Sequence, residues 1–303
     1  MDVIEAVQIR KRYGDVEAVD GIDLVVTEGE IVAVLGPNGA GKTTTIELLL
    51  GLRLPTSGTV RVFGQPPDRP AVRGRVGAML QDTAVPEGLT VAEAVRLVGR
   101  YYPYRLPVDD VLTRAELTDK RRARVGELSG GQLQRLSFGL AIAGDPDVLF
   151  LDEPTVALDV EGRRAFWEQV RGFASLGKTI LFSTHYLAEA DAVADRVLVI
   201  HRGRLIQDGP PAALKALVAA RTIRVATDLP LDDLRAIAGV DQVAADVDRT
   251  APAGLQYVTV RSSRPEEVVA QISIAGCRLH DLTVEDTDLE AAFVRLTHEG
   301  TSA

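Results

Sequence analysis

Short runs of apolar residues alternate with amphipathic stretches through the first two thirds of the chain. Continuous aliphatic runs of this length are typical of strands that are buried on both faces. The sequence predicts three such strands, at Ile31–Leu35, Val148–Leu151 and Thr179–Ser183. Helices are predicted between them, at Lys42–Leu50 before Gly51 and at Glu161–Leu176 before Gly177. Strand–helix–strand units of this kind predict an α/β fold with a parallel sheet.

A helical pattern replaces the strand pattern between about residues 82 and 130. Thr90 and Glu93 have the spacing of a capping box, and apolar residues follow them at helical spacing. A second helix is predicted over Asp109–Leu117. We therefore expect a helical subdomain inserted into the sheet domain, which would occupy residues 1–220.

The pattern changes again near residue 220, where we place a domain boundary. Strands are predicted at Thr222–Thr227 and Leu255–Arg261, with helices at Pro230–Ala238 and Pro265–Ala275. A last helix should begin at a capping box of Thr287 and Glu290 and present Leu289, Ala292, Phe293 and Leu296 on one face. Residues 221–303 should form a small α+β domain, which we interpret as regulatory or dimer-stabilising, with a purely structural appendage as the alternative.

Composition and charge exclude several classes of protein. The chain has 303 residues with 34 basic and 43 acidic side chains, a net charge of −9, which disfavours a generally basic nucleic-acid binder. Residues 222–303 contribute seven arginines, no lysine and fourteen acidic residues. The single cysteine, Cys277, rules out an intrachain disulfide framework. No apolar run approaches the ~18 residues of a membrane span, and no signal peptide is expected.

A phosphate-binding loop follows the first predicted strand. Residues 36–43 read Gly-Pro-Asn-Gly-Ala-Gly-Lys-Thr, which fits G-x-x-x-x-G-K-T between a strand and a helix. Glycines let backbone N–H groups approach phosphate oxygens, and the helix N-terminus adds the positive end of its dipole. In this motif Lys42 would reach the β- and γ-phosphates and the Thr43 hydroxyl would bind Mg²⁺.

Two further motifs restrict the chemistry. Asp152 and Glu153 end an apolar strand, where the first could hold Mg²⁺ and the second could act as general base on water. Leu128-Ser129-Gly130-Gly131-Gln132 precedes a predicted helix at Leu133–Ala143, so it offers a second phosphate-binding surface. One chain needs two such surfaces only if the second serves the nucleotide of another chain.

Taken together, these motifs resemble the nucleotide-binding subunits of ATP-binding-cassette (ABC) transporters over about residues 3–220. The resemblance implies a P-loop ATPase domain that binds ATP and Mg²⁺. Among the ATP-contacting positions, Gly36, Pro37, Asn38, Gly39, Ala40, Gly41, Lys42, Thr43 and Thr44 resemble the Walker A loop, and Ser129, Gly130, Gly131 and Gln132 resemble the family signature. Tyr13 resembles the aromatic that stacks on adenine, Gln81 the glutamine that contacts Mg²⁺, Asp152 and Glu153 the Walker B pair, Asp159 a dimer-contacting aspartate, and His185 the histidine at the γ-phosphate.

The same resemblance implies a function and its partners. Two copies would close head to tail, and ATP hydrolysis by Lys42, Glu153 and His185 would power a separate integral membrane permease. The chain would sit peripherally on the cytoplasmic face of the membrane, with no nucleic-acid partner. Three features are most similar to drug and antibiotic exporters of the daunorubicin-resistance type: the Tyr13 region, the stretch from Ser183 to Ala190 and an acidic C-terminal extension. The alternatives are a soluble cassette ATPase acting on ribosomes or DNA and, less well matched to Leu128–Gln132, a metabolic P-loop kinase.

Overall fold

The computed structural model describes residues 1–81, 85–216, 221–246, 249, 251–285 and 293. The chain divides into two compact units, Met1–Pro211 and Ala212–Ala303. Our sequence boundary near residue 220 lies beside residues 217–220, which are outside the described part of the chain, so it stays a prediction.

The first unit contains nine described strands. They are β1 (Asp2–Tyr13), β2 (Val16–Thr27), β3 (Ile31–Leu35), β4 (Ser57–Val62), β5 (Val76–Met79), β6 (Val148–Asp152), β7 (Thr179–Thr184), β8 (Arg196–His201) and β9 (Arg204–Gly209). Strands β1, β2 and β4 form an antiparallel sheet in the order β2-β1-β4. The other six form a second sheet in the order β5-β6-β7-β3-β8-β9, parallel except for β9.

The helices follow the chain order α1 (Lys42–Leu49), α2 (Pro70–Arg73), α3 (Val91–Gly99), α4 (Val108–Arg114), α5 (Gly130–Ile142), α6 (Val160–Ala174), α7 (Leu187–Val193) and α8 (Pro211–Ala216). Two short 3₁₀ turns lie at Thr118–Lys120 and Val125–Glu127. Helices α3, α4 and α5 enclose their own apolar cluster, which includes Val95, Leu112 and Leu136. The helical insertion expected between β5 and β6 is therefore present.

The parallel sheet is covered on both faces, as its uniformly apolar strands require. On one face, α1 packs between the two sheets in a core that includes Ile46, Val34 and Phe150. On the other face, a chain of aromatic contacts runs from Phe138 of α5 through Phe166 and Trp167 of α6 to Phe182 of β7. This packing holds α6 against the sheet, and α7 contacts β3 and β7.

The second unit has its own sheet and core. Besides α8 from Ala212 onward, its described elements are β10 (Arg221–Thr227), α9 (Leu231–Arg235), β11 (Val240–Ala245), β12 (Gln256–Ser262), α10 (Pro265–Ile274) and β13 (Leu279–Glu285). The sheet is antiparallel in the order β11-β12-β10-β13. Ile223, Val258, Leu234 and Ile272 bury their side chains in one cluster that unites the sheet with both helices.

The predicted elements agree with the structure in type, and several bounds differ. Helix α5 begins at Gly130 rather than Leu133, because Ser129 and Gln132 form a capping box that starts the helix at the glycines. Helix α4 ends at Arg114 rather than Leu117, since the backbone at Glu116 turns to φ 52°. Of the predicted helix from Thr287 to Leu296, only Phe293 lies within the described residues, so that helix stays a prediction.

Candidate active site

The phosphate loop, Gly36–Thr44, connects β3 to α1. Gly41 adopts φ 105°, and a Cβ there would lie 2.3 Å from the Ala18 carbonyl oxygen of β2. A Cβ on Gly36 would lie 2.4 Å from the carbonyl oxygen of Ile200 in β8. Only glycine fits at these two positions, because the loop is closely flanked by backbone on both sides.

Lys42 begins α1 and is buried, with 6% of its surface exposed. Its Nζ donates to the carbonyl oxygens of Gly36, at 2.8 Å, and Pro37, at 3.3 Å. The same Nζ lies 3.6 Å from Oε1 of Glu153. The ammonium group therefore lies inside the loop that it belongs to and next to the end of β6.

Asp152 and Glu153 lie at the carboxyl end of β6, beside the end of β7. Asp152 is 2% exposed, and its Oδ1 accepts a hydrogen bond from Ser183 Oγ. The Glu153 N–H donates to Ser183 Oγ at 3.0 Å and to the Ser183 carbonyl oxygen at 3.2 Å. Glu153 has φ 50°, a left-handed conformation that is unfavourable for a side chain of this size and is often found at functional sites.

The Asp152 carboxyl group lies in surroundings suited to a cation. Burial raises its pKa, against the opposing effects of the Ser183 hydrogen bond and the nearby Thr43 hydroxyl. Its Oδ2 is buried and accepts no hydrogen bond from the described residues. An unsatisfied buried carboxylate oxygen beside a threonine hydroxyl fits the oxygen ligands that Mg²⁺ prefers.

Glu153 also contacts His185, which follows β7. Its Oε2 lies 2.6 Å from Nδ1 of His185, whose side chain is 42% exposed. An ionised Glu153 only accepts hydrogen bonds, so Nδ1 carries the hydrogen in this pair. The two carboxylate oxygens of Glu153 thus face two different cationic or donating groups, Lys42 and His185.

An open cleft of about 380 Å³ lies against the phosphate loop and Glu153, and neither Asp152 nor His185 lines it. It is lined by Tyr13, Ala18, Asn38, Gly39, Ala40, Gly41, Lys42, Thr43, Thr44, Gln81 and Glu153. Most of the predicted ATP-contacting residues therefore share one surface at the carboxyl ends of the parallel strands, where open α/β sheets bind ligands.

Tyr13 ends β1 at the rim of this cleft and is 39% exposed. The Lys11 Nζ and the Arg53 guanidinium lie 5.2 and 5.5 Å from the centre of its ring. An exposed ring in this place can stack on a flat heterocycle, and its contact with adenine stays a prediction.

Ser129–Gln132 does not line that cleft. The Ser129 hydroxyl accepts from the Gln132 N–H at 3.3 Å, and the Gln132 side chain accepts from the Ser129 N–H at 3.0 Å. Ser129 and Gly130 are exposed at the N-terminus of α5. This helix end presents its donors to the surface, as a site that serves a second chain requires.

Asp159 has a local structural role that its sequence pattern did not indicate. It is the N-cap of α6, and its Oδ1 accepts from the Gly162 N–H at 2.7 Å. A helix cap leaves the second carboxylate oxygen able to contact another group, so capping and the predicted dimer contact are compatible.

Several residues around the site were not assigned a role from the sequence. Ser183 holds both Asp152 and Glu153, and Glu189 accepts hydrogen bonds from Thr155 and Thr184. The signal for Ser183 and Thr184 was their position directly before His185. The partners of Ser183 lie about thirty residues away in the chain, so the contacts became visible only in the folded structure.

Comparison with known proteins defines the class to which this site belongs. The family model described as ABC transporter matches residues 19–156. A Nod factor export ATP-binding protein I from Burkholderia pseudomallei (strain 1710b) is 38% identical over 304 residues, covering 97% of this chain and 96% of that protein. A daunorubicin resistance ATP-binding protein from Streptomyces coeruleorubidus is 38% identical over 299 residues, covering 95% and 93%.

A solved structure agrees with these relatives. The dimeric, post-hydrolysis state of an ATP-binding cassette bound to ADP and Pi is 25% identical with a TM-score of 0.63, covering 68% of this chain and 98% of that one. The chain belongs to the ABC transporter family. It is an ATP-binding, ATP-hydrolysing subunit of the exporter type, with the predicted α/β P-loop fold.

These comparisons also bear on the alternatives. The relatives are transporter subunits, and nothing in them favours a ribosome- or DNA-directed ATPase. Within the described residues, no helix has the length and apolar character needed to cross a membrane.

Proposed function

We propose that two copies of this chain, arranged head to tail, hydrolyse ATP to drive a separate membrane permease that exports a drug, antibiotic or lipid-like compound. The observation that carries the hydrolysis is the position of Glu153 between Lys42 and His185, at the end of the strand beside the phosphate loop. The export of such compounds is supported by the relatives, which are named for Nod factor export and daunorubicin resistance.

ATP would bind with its adenine on Tyr13 and its phosphates on residues 36–44. The backbone of Asn38–Gly41 and the N-terminus of α1 converge on one cleft, so their N–H groups can meet the phosphate oxygens. Phosphate oxygens would compete with the carbonyl oxygens of Gly36 and Pro37 for the Lys42 ammonium group. A charged phosphate is the stronger acceptor, so Lys42 would turn toward the β- and γ-phosphates.

Mg²⁺ would be held by the Thr43 hydroxyl, the Gln81 side chain and the Asp152 carboxylate. Asp152 Oδ2 accepts no hydrogen bond from the described residues, and Thr43 lies close enough to lower the pKa of this carboxyl. Gln81 lines the same cleft as Thr43. When bound, the cation would supply positive charge against the β- and γ-phosphate oxygens.

Hydrolysis would then depend on positioning and electrostatics. Glu153, held at φ 50° by the two hydrogen bonds from its N–H to Ser183, would accept the proton of the attacking water. His185 would hold Glu153 through Nδ1 and stabilise the charge that develops on the γ-phosphate. Lys42 would neutralise the phosphate oxygens from the other side.

The second chain would complete the site. Ser129 and Gly130 are exposed and Gly131 and Gln132 half-buried at a helix N-terminus outside the cleft of their own chain, so this segment is available to the γ-phosphate of another. Asp159, at the start of α6, would contact the partner near this surface. The unit at residues 212–303 has a separate core and a net negative charge, and we assign it a regulatory or dimer-stabilising role.

The test is the Glu153→Gln variant of the full-length chain, with Glu161→Gln, an exposed carboxylate on α6, as the matched control. We expect the steady-state ATPase rate to fall by about 10²-fold or more, because a general base contributes about 10²–10⁴-fold. ATP binding should persist, and ATP should stabilise a dimer in size-exclusion chromatography. A Glu153→Gln rate equal to that of Glu161→Gln would contradict the proposal.

The transport part of the proposal has its own experiment. Affinity purification from membranes should recover a protein with several apolar segments of ~20 residues. Cells that express both proteins should retain less of an exported compound than cells carrying the Glu153→Gln variant. Recovery of ribosomes or DNA instead of a membrane protein would reject transport while leaving the ATPase assignment intact.

A further inference from the structure

Glu189 is a buried carboxylate to which the proposed mechanism assigns no role. It lies on α7 and is 8% exposed. Its Oε1 accepts from the Thr155 hydroxyl at 2.7 Å, and its Oε2 accepts from the Thr184 hydroxyl at 2.9 Å. Burying a carboxylate lowers the stability of the folded protein unless its oxygens accept hydrogen bonds. The two threonine hydroxyls supply these hydrogen bonds.

The two threonines belong to the two turns that carry the reacting groups. Thr155 lies two residues after Glu153, and Thr184 lies directly before His185. Both side chains are buried, at 1% and 0% exposed. The Thr184 oxygen also accepts from the Tyr186 N–H at 3.0 Å, so it orders the backbone on both sides of His185. We call Glu189, Thr155 and Thr184 the carboxylate clamp.

The clamp adds a second connection between the two turns, beyond the hydrogen bonds that Ser183 makes with Asp152 and Glu153. Glu189 is 34 residues from Thr155 in the chain and five from Thr184, yet one carboxylate binds both. Helix α7 is anchored behind it by the buried side chains of Ala190 and Val193. One carboxylate oxygen for each turn therefore fixes Thr155 relative to Thr184, and this second connection supports the 2.6 Å contact of Glu153 with His185.

We infer that Glu189 is a positioning residue for hydrolysis, acting through Thr155 and Thr184 on Glu153 and His185. This inference rests on the proposed function, because it needs those two residues to act on water and phosphate. Displacement of a reacting group by about 1 Å can lower a rate by about 10²-fold. Loss of the clamp therefore lowers the rate of the chemical step and leaves ATP binding in place, since no clamp residue lines the cleft.

The experiment compares Thr155→Val, which keeps volume and removes the hydroxyl, with Thr155→Ser, which keeps the hydroxyl, in the full-length protein. We expect Thr155→Val and Glu189→Ala to lower kcat about tenfold or more while KM for ATP changes less than about twofold. Thr155→Ser should restore kcat to within about twofold of the wild type. Asp191→Ala, on the exposed side of the same helix, is the matched control and should match the wild type.

Fluorescent-ATP binding and the thermal midpoint Tm are measured on every variant. If Glu189→Ala does not fold, the comparison of Thr155→Val with Thr155→Ser still decides the question. Equal kcat for Val and Ser at position 155, or a kcat loss matched by loss of ATP binding, overturns the positioning role. Glu153→Gln and His185→Ala are measured in parallel. A wild-type kcat in these two variants would refute the proposed function itself. A low kcat in both, together with a normal kcat in Thr155→Val, would refute only the positioning role of the clamp.

Discussion

Oε2 of Glu153 lies 2.6 Å from Nδ1 of His185, although the two residues follow different strands and are 32 positions apart in the chain. The other Glu153 oxygen lies 3.6 Å from Lys42 Nζ. Two strands that pair in parallel, β6 and β7, bring Asp152 opposite Ser183 and so align the ends of both strands. The contact between the proposed base and the proposed phosphate-contacting histidine is therefore a product of strand register.

Removal of the His185 imidazole should separate catalysis from binding. We expect His185→Ala to lower kcat by about 10²-fold or more, because Glu153 loses its orienting donor and the γ-phosphate loses a stabilising group. ATP affinity should stay within about threefold of the wild type, since His185 lies outside the lining of the cleft. ATPase kinetics and equilibrium binding of a fluorescent ATP measure the two effects. An unchanged kcat would exclude His185 from the reaction.

Head-to-tail sites predict complementation between two inactive variants. Lys42→Ala removes the phosphate-loop cation, and Ser129→Arg places bulk and charge at the N-terminus of α5. A mixed dimer contains one site that has both defects and one site that has neither. Mixing the two should therefore restore up to about a quarter of wild-type ATPase activity, on the assumption that chains pair at random and sites act independently. No recovery at any mixing ratio, with dimers verified by light scattering, would argue against shared sites.

Asp159 should show two separable effects. Asp159→Ala removes the cap of α6 and should lower the free energy of unfolding by about 1 kcal/mol. Asp159→Asn retains a capping oxygen and should be nearly as stable as the wild type. If the carboxylate also contacts a partner chain, both variants should weaken the ATP-dependent dimer. Denaturant unfolding and analytical ultracentrifugation distinguish these effects, and a normal dimer with Asn at this position would limit Asp159 to capping.

The raised pKa of Asp152 predicts a pH-dependent cost in stability. Its folded-state pKa lies above the unfolded value, so between these two pKa values the native state binds a proton that the unfolded state has released. The folded protein consequently loses stability as the pH rises from the unfolded pKa through the folded pKa. Without Mg²⁺ or nucleotide, Asp152→Asn should raise Tm at pH 8, with a smaller gain as the pH is lowered.

The matched measurement on Asp152→Asn is nucleotide binding with and without Mg²⁺. The neutral side chain should remove the effect of Mg²⁺ on ATP binding, because it no longer supplies a carboxylate ligand. A Tm gain that does not change with pH would contradict a buried charge as its source.

Deletion of residues 212–303 tests the role of the second unit. Each unit has its own apolar core, so we expect residues 1–211 to fold and to bind ATP with an affinity within about threefold of that of the full chain. ATP-dependent dimerisation, or the coupling of hydrolysis to the permease, should weaken. Identical self-association, ATPase rate and transport in the shortened and full-length chains would leave this unit only a structural role.

The local signals were enough to predict the elements that carry the phosphate loop and the Asp152–Glu153 pair. Parallel strands that are buried on both faces have continuous aliphatic runs in the sequence. The phosphate loop requires glycine at fixed positions because neighbouring backbone leaves no space for a Cβ atom. Strands β1, β2 and β4 gave no comparable signal, since an antiparallel sheet with one exposed face mixes polar and apolar residues and here contains register shifts. Strands β11 and β13 were missed for the same reason, as most of their side chains are exposed.

The sequence by itself determined the fold class, the phosphate loop and the residue types available for catalysis, because these depend on spacing within about ten residues. Tertiary structure alone decided which of those residues meet. Ser183 reaches Asp152 across 31 positions and Glu189 reaches Thr155 across 34, and both contacts exist because β6 and β7 pair in parallel and α7 packs behind them. Hydrogen bonds between distant segments depend on strand order and register, which no local pattern of residues encodes.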